Sequence, residues 1–224
     1  MINRAILLFI LSTSFLHTQY AFRFSLHPGR MLYTSENSSK LLEDKKIKWI
    51  AGGSIGLEKN DYDGMTVGVT YDFTMTRINN IVEFYRTSES GPDVISTIGA
   101  DYLLNHHTVD ITAAVPIGGT MSLIAGPSFS WVNRTVVIDD LSSFFKVNFQ
   151  SSFEDRLASF CAGAVMSLRI DFPVKDGPES PLFSFGVTMR YLHSLWIDAR
   201  GRNVSGYTQQ FLQGQAELGI ASPL

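Results

Sequence analysis

From residue 46 to the end of the chain, apolar and polar residues alternate with a period of two. In residues 64–73, Met65, Val67, Val69, Tyr71 and Phe73 oppose Gly64, Thr66, Gly68, Thr70 and Asp72. In residues 121–131, Met121, Leu123, Ala125, Phe129 and Trp131 oppose Ser122, Gly126, Ser128 and Ser130. In residues 158–172, Phe160, Ala164, Met166, Leu168 and Phe172 oppose Ser159, Cys161, Gly163, Ser167, Arg169 and Asp171. Residues 47–57, 80–87, 108–115, 183–195 and 212–220 behave alike. This is the pattern of half-buried strands, and no 3.6-residue stripe of comparable length competes with it. Turn signals fall at residues 60–64, 118–120 and 175–178. The pattern predicts an all-β, antiparallel chain.

Such a sheet buries its apolar face in a sandwich, or turns it toward lipid as a barrel. Three features favour lipid. The less apolar face carries Gly52, Gly56, Gly68, Gly126, Gly163 and Gly186 among serines and threonines. Mid-strand glycine suits a crowded barrel interior better than a solvated surface. The same face carries isolated charges, Glu83, Asp110, Arg169, Arg190 and Glu217, which in a narrow lumen are expected to pair across the axis. The apolar face is aliphatic in mid-strand, at Leu123, Met166 and Val187, and aromatic toward strand ends. Trp49, Tyr71, Phe73, Phe172, Phe183 and Phe185 are expected at one set of ends, and Phe129, Trp131 and Phe160 at the other. Two such girdles around an aliphatic band are what an outer-membrane barrel presents to lipid.

Eight strands are expected, with ten as the alternative if residues 94–104 form a strand of their own. Residues 74–79, 118–120 and 174–181 read as short turns at one end. Residues 58–63, 133–155 and 199–210, with the stretch after Arg86, read as outer loops. Ahead of the barrel, residues 22–45 read as an irregular segment. Residues 1–21 read as a secretory signal peptide: Asn3 and Arg4, an eleven-residue apolar core, then a polar stretch ending at Ala21. The domain reading is therefore 1–21 signal peptide, 22–45 irregular segment and 46–224 barrel.

Residues 113–131 (AAVPIGGTMSLIAGPSFSW), 185–197 (FGVTMRYLHSLWI) and the closing strand 213–221 resemble the small outer-membrane β-barrel family that includes OmpA- and OmpX-type domains, closest to the PorT-like group. The resemblance implies a closed up-and-down transmembrane barrel in the outer membrane of a Gram-negative bacterium. Its PorT-like side implies a secretion-accessory role.

Composition narrows the chemistry. The 224 residues hold 18 Lys+Arg against 21 Asp+Glu, a balance without the basic footprint of a nucleic-acid binder. Cys161 is the lone cysteine, which excludes an intrachain disulfide and a cysteine-based zinc site. His193 and Ser194 are adjacent, so on a strand they point to opposite faces and share no proton. His106 and His107 with Asp110 lack further ligands at a metal-binding spacing. Residues 52–56 (GGSIG) precede no helix and make no phosphate cradle. No catalytic, cofactor or metal site is expected.

The expected function is that of a non-enzymatic outer-membrane barrel with a plugged lumen, structural or acting on a protein or surface partner through its outer loops. An eight-stranded barrel is just wide enough for its own side chains. The alternatives are the secretion-accessory barrel, a lipid-modifying enzyme, and a soluble secreted ligand-binding barrel. Sequons at Asn37, Asn133 and Asn203 belong to the last of these.

Overall fold

The computed structural model describes residues 19–37, 44–60, 65–88, 91–137, 157–174, 180–199, 202–203 and 207–223. The chain is all-β. Its long strands are β1 (Gln19–Asn37), β2 (Asp44–Asn60), β3 (Thr66–Ser88), β4 (Gly91–Gly118), β5 (Met121–Val137), β6 (Leu157–Pro173), β7 (Leu182–Ala199) and β9 (Tyr207–Pro223). A two-residue β8 (Arg202–Asn203) lies against the end of β7. Each long strand pairs antiparallel with its neighbour in sequence, and β1 pairs with β9 to close an eight-stranded barrel.

The register shows how the barrel closes. Paired residues lead from Arg23 through Gly56, Thr70, Asp110, Ser128, Gly163, Leu192 and Phe211 back to β1 at Tyr33, ten residues further along. With about 3.3 Å per residue and about 4.8 Å between strands, that stagger tilts the strands by about 40°, within the range of outer-membrane barrels.

Eight strands is the expected number, but two of them are not the expected ones. Residues 22–45, expected to be irregular, supply most of β1 and the start of β2. Phe22, Phe24 and Leu26 point outward while Arg23, Ser25 and His27 are buried inside. Pro28 and Gly29 interrupt this alternation in sequence. In the barrel they mark only a gap in the β1–β9 ladder between Leu26 and Gly29, where proline has no N–H to give. Conversely, residues 74–79 are no turn. Thr74 and Thr76 keep the inward parity, the Thr74 hydroxyl donating to Asp72 and the Thr76 hydroxyl to the Trp49 carbonyl, so β3 runs on without a break. Residues 94–104 are part of β4 rather than a strand of their own.

Both termini of the barrel lie at one end, with the connections 61–65, 119–120 and 174–181. The connections 38–43, 89–90, 138–156 and 200–206 lie at the other. The 58–63 segment, expected among the outer loops, thus belongs with the termini. The β4–β5 turn is tight, with φ of 151° at Gly118 and 55° at Gly119, a left-handed backbone that favours glycine.

β3 and β4 outrun the barrel. β3 pairs with β2 only as far as Thr76, and β4 pairs with β5 only from Asp101 onward. Beyond those points β3 and β4 pair with each other up to Ser88 and Gly91. The two-stranded part, residues 80–88 and 91–100, extends about 30 Å along the strand direction at the end opposite the termini.

One glycine expected in the lumen marks a close backbone approach. A Cβ on Gly163 would lie 1.8 Å from the Tyr191 carbonyl oxygen on β7. Gly163→Ala should lower the midpoint of urea unfolding in detergent, at a cost of about 1–3 kcal/mol. Gly214→Ala is the control: a Cβ there meets nothing within 4 Å, and its midpoint should not move.

Candidate functional site

The barrel interior is arranged in layers along its axis. Nearest the termini, Arg23 from β1 and Arg169 from β6 both grip the Glu58 carboxylate of β2 through two nitrogens each. Arg23 Nε and Nη2 donate to Glu58 at 3.0 and 3.2 Å, and Arg169 Nη1 and Nη2 at 2.6 and 3.2 Å. Arg169 Nε donates to Asp171 at 3.0 Å, and the Ser184 hydroxyl donates to the other Asp171 oxygen at 2.5 Å. Arg23 Nη1 reaches both Ser184 and Asp171. Forked guanidinium–carboxylate pairing of this kind supplies direction as well as charge.

In the middle layer Arg190 crosses from β7 to the opposite wall. Its Nη2 donates to Asp110 at 2.5 Å and to Asp72 at 3.2 Å, and its Nη1 donates to the Gln213 side-chain oxygen at 3.0 Å. The free oxygens of the two carboxylates accept from Ser128 at 2.6 Å and from Thr74 at 2.7 Å. His27 Nε2 sits 3.1 Å from Asp72. Between the two charged layers is a cavity of about 60 Å³, room for several waters. Arg23, His27, Glu58, Asp72, Asp110, Arg169, Arg190 and Glu217 all line it.

The third layer, toward the projecting hairpin, is apolar. Met31, Tyr33, Ile50, Leu104, Val132, Cys161, Leu192 and Phe211 cluster there, all buried. Tyr33 stacks on Phe211 at 5.2 Å, and His106 meets the Phe211 ring edge-on at 4.7 Å. Around them, Gln209 bonds Tyr33 and Ser159 at 3.3 and 2.6 Å.

Of the residues expected in the lumen, Asp110, Arg169, Arg190 and Glu217 lie on the interior face. The side chain of Glu83 lies outside the described residues. They do not form one cluster: Asp110 joins Arg190, Arg169 joins Glu58 and Asp171, and Glu217 accepts from Thr188 at 3.4 Å. Sequence reasoning missed Arg23, His27, Glu58, Asp72 and Asp171, which complete both charged layers. Inward parity was the available signal for Asp72 and Asp171, and the unread first strand hid Arg23 and His27. The apolar layer was missed because Met31 and Tyr33 lie in the segment read as irregular, and Ile50, Leu104, Val132, Leu192 and Phe211 are apolar residues on a face read as small and polar.

No protein-family model matches the chain, and no curated protein does. Among solved structures, Neisserial surface protein A aligns over 89% of this chain and 96% of its own length, at 10% identity and a TM-score of 0.43. Ail, the attachment invasion locus protein of Yersinia pestis, aligns over 88% and 97%, at 12% identity and a TM-score of 0.37. The barrel assignment itself rests on the closed register described above.

The outer face is the inverse of the inner one. Its mid-strand positions include Leu123, Met166 and Val187, between 41% and 54% exposed. All nine expected girdle residues point outward: Trp49, Tyr71, Phe73, Phe129, Trp131, Phe160, Phe172, Phe183 and Phe185. Their grouping differs from the sequence expectation. Phe73 pairs through His107 to Trp131, and Trp131 pairs with Phe160, so Phe73 and Trp49 belong to the belt near the hairpin end. Phe172, Phe183 and Phe185 stand at the terminal end with Phe22 and Phe24 of β1. Tyr71 donates to or accepts from His107 Nδ1 at 2.8 Å, beside the first belt.

The chemistry weighed in the sequence falls on opposite faces. His106 is buried inside and His107 points out; Ser194 is buried inside and His193 points out. The Ser194 hydroxyl accepts the Gln209 backbone N–H at 2.8 Å. Among the described residues no group of three potential ligands gathers to hold a metal ion. Cys161 is a free thiol buried in the apolar layer. Residues 52–56 form part of β2. The signal-peptide stretch up to residue 18 lies outside the described residues.

Proposed function

We propose that this protein is a non-enzymatic outer-membrane barrel with a plugged lumen, which presents the β3–β4 hairpin and neighbouring loops as its contact surface. The observation that carries this reading is the inversion of the two faces: buried charge inside, exposed aliphatic and aromatic side chains outside. A water-soluble barrel has no use for a continuous exposed apolar band. A hydrocarbon environment requires one. The two charged layers and the apolar layer support closure of the lumen, since each fills the cross-section with side chains from opposite walls.

The hairpin supports the surface role. Among the described residues its outer parts pair only with each other, so both edges offer backbone donors and acceptors to an extended partner segment. The signal-peptide reading places the terminal end in the periplasm, and the hairpin then faces outward. The secretion-accessory reading rests on sequence pattern alone.

Folding can be tested by gel migration in detergent, where the unheated barrel should run ahead of the boiled chain. Orientation can be tested with trypsin on intact cells, which should cut within the hairpin, at Arg86, and leave the barrel in the membrane. Cleavage only after permeabilisation would reverse the orientation. In planar bilayers the native protein should show no stable open channel. A large steady conductance would overturn the plugged lumen while leaving the barrel intact.

A further inference from the structure

The three layers of the lumen do not oppose an ion equally. The two charged layers are built on arginines, whose long side chains have many rotamers, and they enclose a cavity of about 60 Å³. At the terminal end the first layer meets solvent: the Glu58 and Asp171 side chains are 11% and 16% exposed. Both layers consist of hydrogen-bonding groups, which can replace the water around an ion. Ser54, Thr70, Thr112, Ser167 and Thr188 continue that polar lining around the cavity.

The apolar layer offers no such replacement. Met31, Ile50, Leu104, Val132, Leu192 and Phe211 come from six different strands and are between 0% and 3% exposed. Gln213 marks the boundary. Its side-chain oxygen accepts from Arg190 at 3.0 Å on one side. On the other its amide nitrogen lies 3.4 Å from His106 Nδ1 and 3.9 Å from the Met31 sulfur. An ion that passes Gln213 loses its water and meets hydrocarbon, and constrictions of this kind exclude ions by staying dry.

The sign of the charge on the terminal side of this boundary is also unequal. Among the described residues, Glu58, Asp72, Asp110, Asp171 and Glu217 stand there against Arg23, Arg169 and Arg190. His27, 3.1 Å from Asp72, adds at most one positive charge. Five carboxylates against three guanidiniums favour a cation over an anion. We propose that the apolar layer alone is the ion barrier of the lumen, and that the polar space on its terminal side is a vestibule that admits small cations. The proposal rests on the plugged-lumen reading and assigns the plug to one layer.

The test uses the full chain folded into phosphatidylcholine vesicles, with Ag⁺ as a thiol probe of ionic size. Insertion is read by gel migration, and free thiol is counted by mass spectrometry after denaturation. Cys161 lies in the apolar layer, so the wild-type thiol reports on that layer. Ser167→Cys in a Cys161→Ala chain reports on the vestibule, since Ser167 lines the cavity. The Ser167→Cys thiol should be captured at least about a hundredfold faster than Cys161. Phe211→Ala should open Cys161 to Ag⁺ and give cation-selective conductance in planar bilayers. Leu192→Ala takes its place if that chain does not insert. Arg190→Met/Asp72→Asn/Asp110→Asn spares the apolar layer, so it should stay closed and leave Cys161 protected. Equal capture of the two thiols, an inserted Phe211→Ala that still protects Cys161, a conducting triple variant or an anion-selective conductance would each overturn the proposal alone. A large steady conductance of wild type would overturn the plugged lumen and this proposal with it.

Discussion

Arg190→Met should destabilise the barrel by about 3–5 kcal/mol, because it leaves two carboxylates in the lumen without their cation. Arg190 is 2% exposed, and Asp72 and Asp110 are 3% and 4% exposed, so water cannot replace the guanidinium without opening the wall. The loss should appear as a lower midpoint of urea unfolding in detergent micelles and a lower temperature for the heat-modified gel shift. Added salt should change it little, since the pair is shielded from mobile ions. The triple variant Arg190→Met/Asp72→Asn/Asp110→Asn should recover much of the loss. A buried ion pair exchanged as a whole for neutral groups often costs little, whereas breaking it from one side leaves an uncompensated charge. If Arg190→Met unfolds at the wild-type midpoint, the carboxylates are not held by Arg190 in the folded barrel.

Met166→Arg should cost about 2–4 kcal/mol when the protein is folded into a bilayer, the depth-dependent penalty for a cation near the midplane. Met166 is 54% exposed and lies mid-strand on β6, between Leu168 and Ala164 on the outward parity. Ser167→Arg, one residue along, enters the crowded lumen instead, where it competes with Arg169 and Arg190 for Glu217 and the cavity. The two variants separate by environment: the Met166→Arg penalty should grow in bilayers relative to detergent, and the Ser167→Arg penalty should not. A Met166→Arg penalty that is the same in a soluble medium and in a bilayer would mean that the outer face does not sit in hydrocarbon.

The strand pattern was legible because a barrel wall separates two different media. Every outward residue meets one environment and every inward residue another, so a period of two survives over nearly the whole chain. Residues such as Val67, Asp72, Leu123 and Arg190 announce their face by parity alone. Parity fails where local chemistry imitates punctuation. Residues 74–79, rich in threonine and asparagine, read as a turn, yet the inward Thr74 and Thr76 find hydrogen-bond partners and the strand continues. Residues 22–45 read as irregular, yet most of them form β1, where the strand loses the ladder to β9 around Pro28 and keeps it to β2. These two errors cancel in the strand count, which is why the number eight survived a wrong choice of strands.

Alternation along each strand, and with it the sorting of side chains to two faces, belongs to the amino-acid sequence, because it depends only on residue i and residue i+2. Which inward residues meet depends on the ten-residue stagger around eight strands, a property of the closed wall. That stagger carries Arg190 of β7 across to Asp72 and Asp110, and brings Arg23 and Arg169 to one carboxylate, Glu58. It also gathers Met31, Ile50, Leu104, Val132, Leu192 and Phe211 into a single apolar layer. On the outside the pairing of β1 with β2 sets the Arg30 guanidinium over the Trp49 ring. The interior partners are separated by tens to more than a hundred residues along the chain, and only closure of the barrel brings them within hydrogen-bonding or packing distance.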